Sequence, residues 1–485
     1  MADSSFDVLI VGAGLTGVGS AADLSRRFPK KRIAIIEARE RIGGTWDLFR
    51  YPGIRSDSDM YTLGYRARPW REQRSIVDGP SIRRYIEETA AETGVDKLIR
   101  FGQRVVAAAW SSPRARWTVE IEHRDGTRST VETRFLHFCS GYYSYSEGHR
   151  PTWEGEADFR GDIIHPQFWP ENYDYRGKKV VVIGSGATAV TLVPSMADDA
   201  AHVTLLQRSP TYIATQPADD PLAKWLTPWM PKRLAYWIVR WKCILAGLFF
   251  YWLAKTRPKP FKRSVINLAR KELPPDFDIA KHLTPSYNPW DQRLCAVPDG
   301  DLFKAISAGK VSMVTDHIRR FVPEGIELES GEIIAADLVI TATGLKIEAL
   351  GGAELRVDDK PVKLEEIMVY RGALFSGVPN LVYTFGYTNA SWTLRADLIS
   401  DYLGRLLRHM QKYGYDSVVA ERDPSVREQP FLDFTSGYVL RALPSLPKQG
   451  DRFPWRIHQN YLRDVHVTRF SPLIDPHLRF GKASS

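Results

Sequence analysis

Two strand–glycine turn–helix–strand units limit the folds open to this chain more than any other feature. In residues 6–37, the apolar run FDVLIVG leads into GAGLTG, a helical stretch follows, and the strand RIAIIE ends at Glu37. Residues 178–208 repeat this order with KKVVVIG, GSGATA, a helical stretch and HVTLLQR. Continuous apolar strands are typical of parallel sheets that are covered on both faces. The pattern predicts an α/β protein with two doubly wound, Rossmann-like dinucleotide-binding domains.

The first glycine turn has the spacing of a dinucleotide site. Gly12 permits the tight turn, Gly14 lets the backbone approach a pyrophosphate, and Gly17 lets the helix pack on the strand. The N-terminus of the helix then offers free N–H groups to the phosphates. Glu37 ends the next strand, where a carboxylate can accept a hydrogen bond from a ribose hydroxyl. The segment GGTW, which contains Gly44, follows as a small-residue approach to a cofactor.

The second glycine turn ends differently, because Gly184, Gly186 and Ala189 are followed by a strand that leads into Arg208 and Ser209. An acid at this place would select a free ribose hydroxyl, whereas an arginine with a hydroxyl suits a 2′-phosphate. We therefore predict NADPH at the second site and FAD at the first, which is the common order in flavoproteins. The alternative is a surface arginine beside an NADH site.

Composition excludes several other classes of protein. The chain has 485 residues, 44% hydrophobic and 25% charged, as ordinary globular proteins do. Its cysteines, Cys139, Cys243 and Cys295, are far apart and form no CxxC pair. A disulfide scaffold, a zinc ribbon and a dithiol redox enzyme are therefore not expected. We predict no metal site, and a cytoplasmic protein whose first strand, from Phe6, leaves no room for a leader.

Positive charge is concentrated in residues 221–271, here called the basic aromatic segment. It holds 12 basic residues, 5 tryptophans and no acid, while the net charge of the whole chain is +9. Because the remainder has a slight acidic excess, no nucleic-acid partner is expected. The longest charge-free run, residues 243–254, is shorter than the ~20 residues that span a bilayer. The segment is either a buried helical insertion or a peripheral anchor at the inner face of the membrane.

Residues 159–170, FRGDIIHPQFWP, contain Phe159, Gly161, His165 and Trp169 at the spacing FxGxxxHxxxW, followed by proline. This motif resembles the fingerprint of the type I Baeyer–Villiger monooxygenases and lies just before the second glycine turn, as in that family. Further segments resemble the ethionamide-activating subgroup: YPGIRSDSDMYTLGY (51–65), IGSGATAV (183–190), QRSPTY (207–212), YNPWDQRLC (287–295), ATG (342–344) and GYTNASWTL (386–394).

The resemblance implies FAD, NADPH and O₂ as co-reactants, with a small-molecule ketone or sulfide as substrate. One oxygen atom would enter a ketone through a C4a-peroxyflavin and give an ester or lactone, and sulfides or thioamides would also be oxidised. The fingerprint residues lie in the interdomain connection, where they are expected to couple domain motion to cofactor binding. The alternative for His165 is a direct role in proton transfer.

The resemblance also carries over individual residues by position. Those expected at FAD, besides the glycine turn, are Thr16, Glu37, Gly44, Thr45, Trp46, Asp47, Leu48, Asp57 and the backbone at Val105. Those expected at NADPH are Arg55, Ser56, Asp57, Gly184, Ser185, Gly186, Ala187, Thr188, Ala189, Val190, Arg208 and Ser209.

Arg293 matches the arginine that faces the flavin ring in this family. Peroxide and alkoxide anions need a fixed cation, and arginine stays charged at any working pH. Asp57 would orient Arg293; its alternative is a turn cap within SDSD. Many family members carry a lysine just before the arginine, to help hold the 2′-phosphate, but this chain has Gln292. The substitution leaves Arg208 more isolated.

Two other classes stay open at this point. An N- or S-oxygenating flavin monooxygenase shares both glycine turns but does not need Arg293. A flavin-binding redox sensor or membrane adaptor would use the basic aromatic segment as its working surface. The expected organisation is an FAD-binding domain formed by residues 1–145 and 345–485. An NADPH-binding domain, residues 146–344, lies between them with a helical insertion at about 221–280.

Overall fold

The computed structural model describes residues 5–292 and 294–483, so Arg293 lies outside the described residues. The fold is α/β, and the prediction of two Rossmann-like units is confirmed. Each glycine turn follows a buried strand that pairs in parallel with its neighbours in a sheet of its own, and each sheet has its own apolar core. The domain boundaries expected from the sequence remain a proposal.

The first sheet has eleven strands and is mixed: the strands beside the glycine turn are parallel, and an antiparallel part adjoins them. The glycine-turn strand Ser5–Val11 pairs in parallel with Ile33–Ile36 on one side and Arg128–Phe138 on the other, so Leu9 lies opposite Ala34 and Leu136. The remaining strands of this sheet are Ile99–Arg100, Gln103–Ser111, Arg116–His123, Glu354–Val357, Lys360–Pro361, Val369–Tyr370, Leu374–Phe375 and Leu381–Tyr383. Strands from both ends of the chain therefore build one sheet.

The second sheet has five strands, all parallel. Their spatial order is Val311–Thr315, His202–Gln207, Lys179–Ile183, Leu338–Thr341 and Asp162–Ile164. The glycine-turn strand Lys179–Ile183 is central and fully covered, which is why its residues are almost all apolar.

The other strands form small sheets of two or three strands outside the two main sheets. Their strands are Tyr143–Gly148, Tyr212–Gln216, Leu294–Pro298, Ile318–Val322, Gly325–Leu328, Ile333–Ala335, Leu345–Ile347, Ser417–Ala420, Glu428–Pro430, Lys448–Gly450 and Leu478–Gly481. The α-helices are Leu15–Arg27, Thr45–Leu48, Met60–Leu63, Gly79–Thr93, Ala187–Met196, Pro221–Leu226, Lys232–Thr256, Pro258–Arg270, Ile279–His282, Asp301–Ser307, Trp392–Tyr413, Gly437–Ala442 and Tyr461–Val465.

The helical insertion packs on both units. Ala235 and Val239 of the long helix Lys232–Thr256 join the same apolar cluster as Val8 of the first sheet. Ala269 of the next helix, Pro258–Arg270, joins the core of the second sheet. The expectation of a simply buried insertion is only half met, because one whole side of the long helix is exposed.

Candidate active site

The first glycine turn has room only for glycine at two of its positions. Gly12 has φ of +101°, and a Cβ there would lie 2.8 Å from the carbonyl oxygen of Cys139. A Cβ on Gly17 would lie 1.9 Å from the carbonyl oxygen of Gly12. Gly14 pairs with Gly43 in an isolated bridge, so GGTW meets the turn directly. The turn therefore exposes bare backbone where a pyrophosphate would approach.

Glu37 is fixed against this turn. Its side chain is 5% exposed, and its two carboxylate oxygens accept hydrogen bonds from the N–H groups of Ala13 (2.6 Å) and Arg39 (2.8 Å). Burial raises the pKa of Glu37 above its ordinary value, while these hydrogen bonds oppose that shift. The N–H of Gln103 donates to the Glu37 carbonyl, which brings the strand of Val105 to the same place. Val105 itself is buried.

The residues around the first turn fit FAD. The helix Leu15–Arg27 starts at Gly14 with no side-chain cap and no acid in its first turn. Ser140, whose Cα lies 3.3 Å from the Cβ position of Gly12, has a hydroxyl that is buried without a hydrogen-bond partner among the described residues. A free helix N-terminus and an unsatisfied hydroxyl at a bare glycine turn are the groups that a dinucleotide phosphate satisfies.

Asp47 is held by three arginines. Its side chain is 1% exposed and its carboxylate is 2.6 Å from Arg39, 3.2 Å from Arg83 and 3.4 Å from Arg50. Burial disfavours its charge, but the hydrogen bond and attraction of Arg39 and the other guanidiniums lower its pKa overall. The Asp47 carboxylate therefore anchors the helical turn Thr45–Leu48 from inside.

The loop 51–57 follows the helical turn Thr45–Leu48 of the first unit and packs on the helix of the second glycine turn. Gly53 packs so closely on the helix Ala187–Met196 that a Cβ there would lie 1.8 Å from Ser195 Oγ. Burial raises the pKa of Tyr51, an effect that the nearby Thr188 side chain opposes. Arg55 and Ser56 of the same loop also have bonded side chains. The Arg55 guanidinium pairs with Asp301 at 2.5 Å, and the Ser56 hydroxyl donates to the Ser58 carbonyl at 2.9 Å. The side chain of Gln216 donates to the Asp57 carbonyl at 3.4 Å.

The second glycine turn is open at the place where phosphates would bind. Gly184 has φ of +140°, and a Cβ there would lie 2.3 Å from the carbonyl oxygen of Ala342. Gly186 caps the helix Ala187–Met196, and a Cβ on it would meet nothing within 4 Å. The cradle from Gly184 to Val190 therefore fits a second dinucleotide.

Arg208 is exposed just beyond the strand His202–Gln207, and no carboxylate pairs with it among the described residues. Arg441, on the short helix Gly437–Ala442, likewise has no ion-pair partner in the described ranges. Its Nη2 lies 3.7 Å from the Cβ position of Gly344. Burial and then repulsion by Arg208 lower the pKa of Arg441. Sequence reasoning missed Arg441, because no motif links it to Arg208.

The fingerprint segment runs alongside the strand Leu338–Thr341, from just before its start to just beyond its end. A Cβ on Gly161 would lie 2.4 Å from the Asp337 carbonyl oxygen, and Phe159 packs edge-on against Phe321. His165 Nε2 is 3.3 Å from the Gly344 carbonyl oxygen, and Nδ1 accepts from the Gln167 N–H at 3.2 Å. Burial lowers the pKa of His165, so the neutral ring acts as a bridge to the ATG segment. Trp169 contacts two tyrosines, Tyr173 and Tyr175.

Arg293 lies outside the described residues, but the segment before it is anchored. Lys255 pairs with Asp291 at 2.9 Å, and the rings of Tyr251 and Trp290 are 5.8 Å apart. The Thr435 N–H donates to the Asp291 carbonyl oxygen at 2.9 Å. Three separate parts of the chain therefore meet at residues 290–291.

Comparison with known proteins defines the class to which this fold and site belong. The family model for flavin-binding monooxygenase-like proteins matches residues 71–350, and an NAD(P)-binding Rossmann-like model matches residues 10–73. The chain belongs to the flavin-binding monooxygenase-like family, and it is an FAD- and NADP-dependent monooxygenase that acts on a small molecule with oxygen.

Individual relatives agree with this assignment. The FAD-containing monooxygenase EthA of Mycobacterium tuberculosis is 54% identical over 478 residues, which cover 98% of both chains. A solved structure of oxidized steroid monooxygenase bound to NADP has a TM-score of 0.71 at 24% identity, covering 87% of this chain and 88% of the other. Cyclohexanone monooxygenase bound to epsilon-caprolactone has a TM-score of 0.69 at 20% identity, covering 87% and 90%. These two structures share the fold.

Proposed function

We propose that the enzyme is a Baeyer–Villiger monooxygenase that inserts one oxygen atom of O₂ into ketones to give esters or lactones, and that also oxidises sulfides or thioamides. The observation that carries the proposal is the contact of loop 51–57 with the helix of the second glycine turn through Gly53 and Ser195. This contact supports the proposal because hydride transfer from NADPH to a flavin requires the two nucleotide sites to lie next to each other. The fingerprint at residues 159–170 favours the Baeyer–Villiger class.

The division of labour follows from the residues. Bound FAD supplies the oxygen activation, which no protein side chain can provide. Glu37 and the first glycine turn hold and orient that cofactor. Arg293 supplies the fixed positive charge that stabilises anions during oxygen transfer, and Asp57 orients Arg293. The charge of Arg293 has the sign that this chemistry needs, because the species that attacks a ketone and the product of that addition would both be anionic.

We also propose that Arg208 and Arg441 together select NADPH. Gln292 carries no charge where many family members have a lysine. Arg441 restores a second cation near Arg208, and repulsion by Arg208 contributes, after burial, to its lowered pKa. Two guanidiniums without carboxylate partners in the described ranges repel one another until an anion binds between them. A 2′-phosphate dianion is the anion that this place offers.

His165 is proposed as a coupling residue. Its neutral ring links the fingerprint segment to Gly344, the last residue of the expected NADPH-binding domain, where the chain returns to the first unit. Proton transfer at the reacting centre would need a ring that faces substrate, whereas both nitrogens of His165 are engaged by backbone groups.

A panel containing one ketone and one sulfide, incubated with NADPH and O₂, tests the reaction class. Ester or lactone formation with stoichiometric NADPH consumption is expected. Sulfoxide alone would select the N- or S-oxygenating alternative. NADPH turnover that gives hydrogen peroxide but no ester, lactone or sulfoxide would count against both substrate classes.

For location, we propose a cytoplasmic enzyme that touches the inner face of the membrane peripherally. The support is the basic aromatic segment, whose chemistry matches an anionic lipid surface.

A further inference from the structure

The helix Lys232–Thr256 turns an apolar face toward solvent. Large side chains recur every three or four residues over about five turns, so they lie on one face. This apolar stripe, in which every member is 38–55% exposed, consists of Leu234, Ile238, Trp241, Leu245, Phe249 and Trp252. Soluble proteins rarely leave such a continuous apolar surface in water without a binding role. By length and composition alone, this helix is also long and apolar enough to cross a membrane.

The opposite face of the same helix is fixed to the protein by polar bonds. Arg240 is 2% exposed, and its Nη1 donates to the carbonyl oxygens of Tyr61 (2.6 Å) and Gly64 (3.0 Å). The Tyr236 hydroxyl donates to the Tyr61 carbonyl at 3.1 Å, and Lys242 pairs with Asp220. The helix therefore cannot turn its stripe inward or leave for a bilayer without breaking buried hydrogen bonds.

The basic aromatic segment also carries further exposed tryptophans and many positive charges. Two further tryptophans, Trp225 and Trp229, are 65% and 80% exposed. Basic residues of the segment that have no ion-pair partner among the described residues are Lys224, Lys232, Arg233, Arg257, Lys259, Arg263, Arg270 and Lys271. Tryptophan and cationic side chains beside an apolar strip are the composition of a helix that lies in a lipid interface.

We propose that this helix docks flat on the surface of an anionic bilayer, with the apolar stripe in the headgroup–acyl boundary and the basic residues at the lipid phosphates. Charge complementarity favours an anionic lipid surface over a second copy of the chain. Two copies would bring the positive charges of their basic aromatic segments together. The buried hydrogen bonds of Arg240 favour a helix that lies on the membrane surface over one that crosses the membrane, because crossing would break these bonds. The inference rests on the proposed membrane contact and is independent of the oxygenation chemistry.

Docking would place the segment before residue 293 near the lipid. The C-terminal part of the helix holds that segment through the Lys255–Asp291 pair and the Tyr251–Trp290 contact. Substrates that partition into a bilayer would then be concentrated beside the predicted reacting centre. This points to apolar ketones and sulfides as the favoured substrate class.

Flotation of the FAD-loaded enzyme with vesicles tests the proposal. Binding to phosphatidylglycerol-containing vesicles is expected at low salt, with weaker binding to pure phosphatidylcholine and at high salt. Replacing Trp241, Leu245 and Phe249 by serine should lower the partition coefficient at least about 10-fold. Replacing Lys232, Arg233 and Lys259 by glutamine should lower it on the order of 100-fold.

The matched control replaces three exposed apolar residues elsewhere, Phe101, Phe470 and Ile474, by serine, and should bind as the unmodified enzyme does. Thermal unfolding shows that each variant is folded, and light scattering reports its oligomeric state. Absence of flotation with anionic vesicles would overturn the proposal even if esters are formed. A dimer that the stripe variant dissociates would also overturn it, in favour of a second copy as the occupant.

Discussion

The indole N–H of Trp392 donates a hydrogen bond of 2.7 Å to the hydroxyl of Thr16, although the two residues are 376 positions apart in the chain. Thr16 is in the first turn of the glycine-turn helix, and Trp392 begins the long helix Trp392–Tyr413. The Trp392 ring also stacks on Tyr142, with ring centroids 5.1 Å apart. This bond therefore joins the N-terminal and C-terminal parts of the first unit at the first glycine turn, where FAD is proposed to bind.

Thr16→Val should lower the free energy of unfolding by about 1 kcal/mol, because the Trp392 N–H loses its acceptor inside the protein. In a double-mutant cycle with Trp392→Phe, the double variant should lose less unfolding free energy than the two single variants lose when their losses are added. Urea denaturation of the FAD-loaded proteins measures both values. Effects that add to within about 0.3 kcal/mol would show that the bond does not couple the two segments.

Nucleotide selection gives a second prediction. Arg208→Ala and Arg441→Gln should each raise the KM for NADPH about 10-fold with little change in kcat, because the 2′-phosphate is remote from hydride transfer. The KM for NADH should stay unchanged. Calorimetric titration with adenosine 2′,5′-bisphosphate and with AMP separates phosphate recognition from activity, and only the first ligand should bind more weakly.

Arg408→Gln, at an exposed arginine on the helix Trp392–Tyr413, is the matched control and should leave both nucleotides unaffected. If Arg441→Gln weakened NADPH and NADH equally, Arg441 would contact the diphosphate or adenine instead. Equal kcat/KM for the two nucleotides in the unmodified enzyme would refute the NADPH preference itself.

His137 gives a prediction about pH. It is 1% exposed between the hydroxyls of Ser20 (3.1 Å) and Thr384 (2.8 Å), and burial lowers its pKa to about 3. In the unfolded chain a histidine takes up its proton near pH 6.5. Between these two values the unfolded state binds more protons, so acid destabilises the fold. From pH 6.5 to pH 5 this residue should cost about 2 kcal/mol of unfolding free energy.

His137→Gln keeps a polar side chain between the two hydroxyls and should flatten this part of the stability profile, even though it lowers stability at pH 7. Urea denaturation at pH 7, 6 and 5 measures the slope. His123→Gln, at a histidine bonded to Ser129, serves as the control. An unchanged slope in His137→Gln would mean that other groups cause the acid sensitivity.

Local contacts explain why much of the fold was predictable from the sequence. Gly12 and Gly17 touch each other's backbone within one turn, and such short-range demands appear directly as sequence spacing. The helix Trp392–Tyr413 has a regular apolar period only from about Leu398, because its first turn is held by tertiary contacts such as the bond from Trp392 to Thr16. Arg441 approaches Gly344 only through folding, so no pattern could indicate it.

The long helix shows a second limit of sequence reasoning. Its apolar residues were compatible with a buried insertion and with a peripheral anchor. The buried side contains Arg240 and Tyr236, whose polar atoms reach backbone carbonyls of residues 61 and 64. Whether an apolar stripe faces a core or a solvent depends on which partners fold against it. The sequence pattern alone carries no such information.

Arg293 gives the sharpest prediction, because it separates cofactor binding from oxygen transfer. FAD binding rests on the first glycine turn and Glu37, so Arg293→Ala should purify with its flavin and remain yellow. Formation of ester should fall at least ~100-fold, the scale for removing one group that stabilises an oxyanion. NADPH oxidation that persists should yield hydrogen peroxide in place of ester. Arg293→Lys should recover only part of the activity, since a point charge lacks the planar fork of arginine. Ester and hydrogen peroxide formed per NADPH consumed are the quantities to measure. A near-normal ester yield from Arg293→Ala would remove this residue from the mechanism and favour the N- or S-oxygenating alternative.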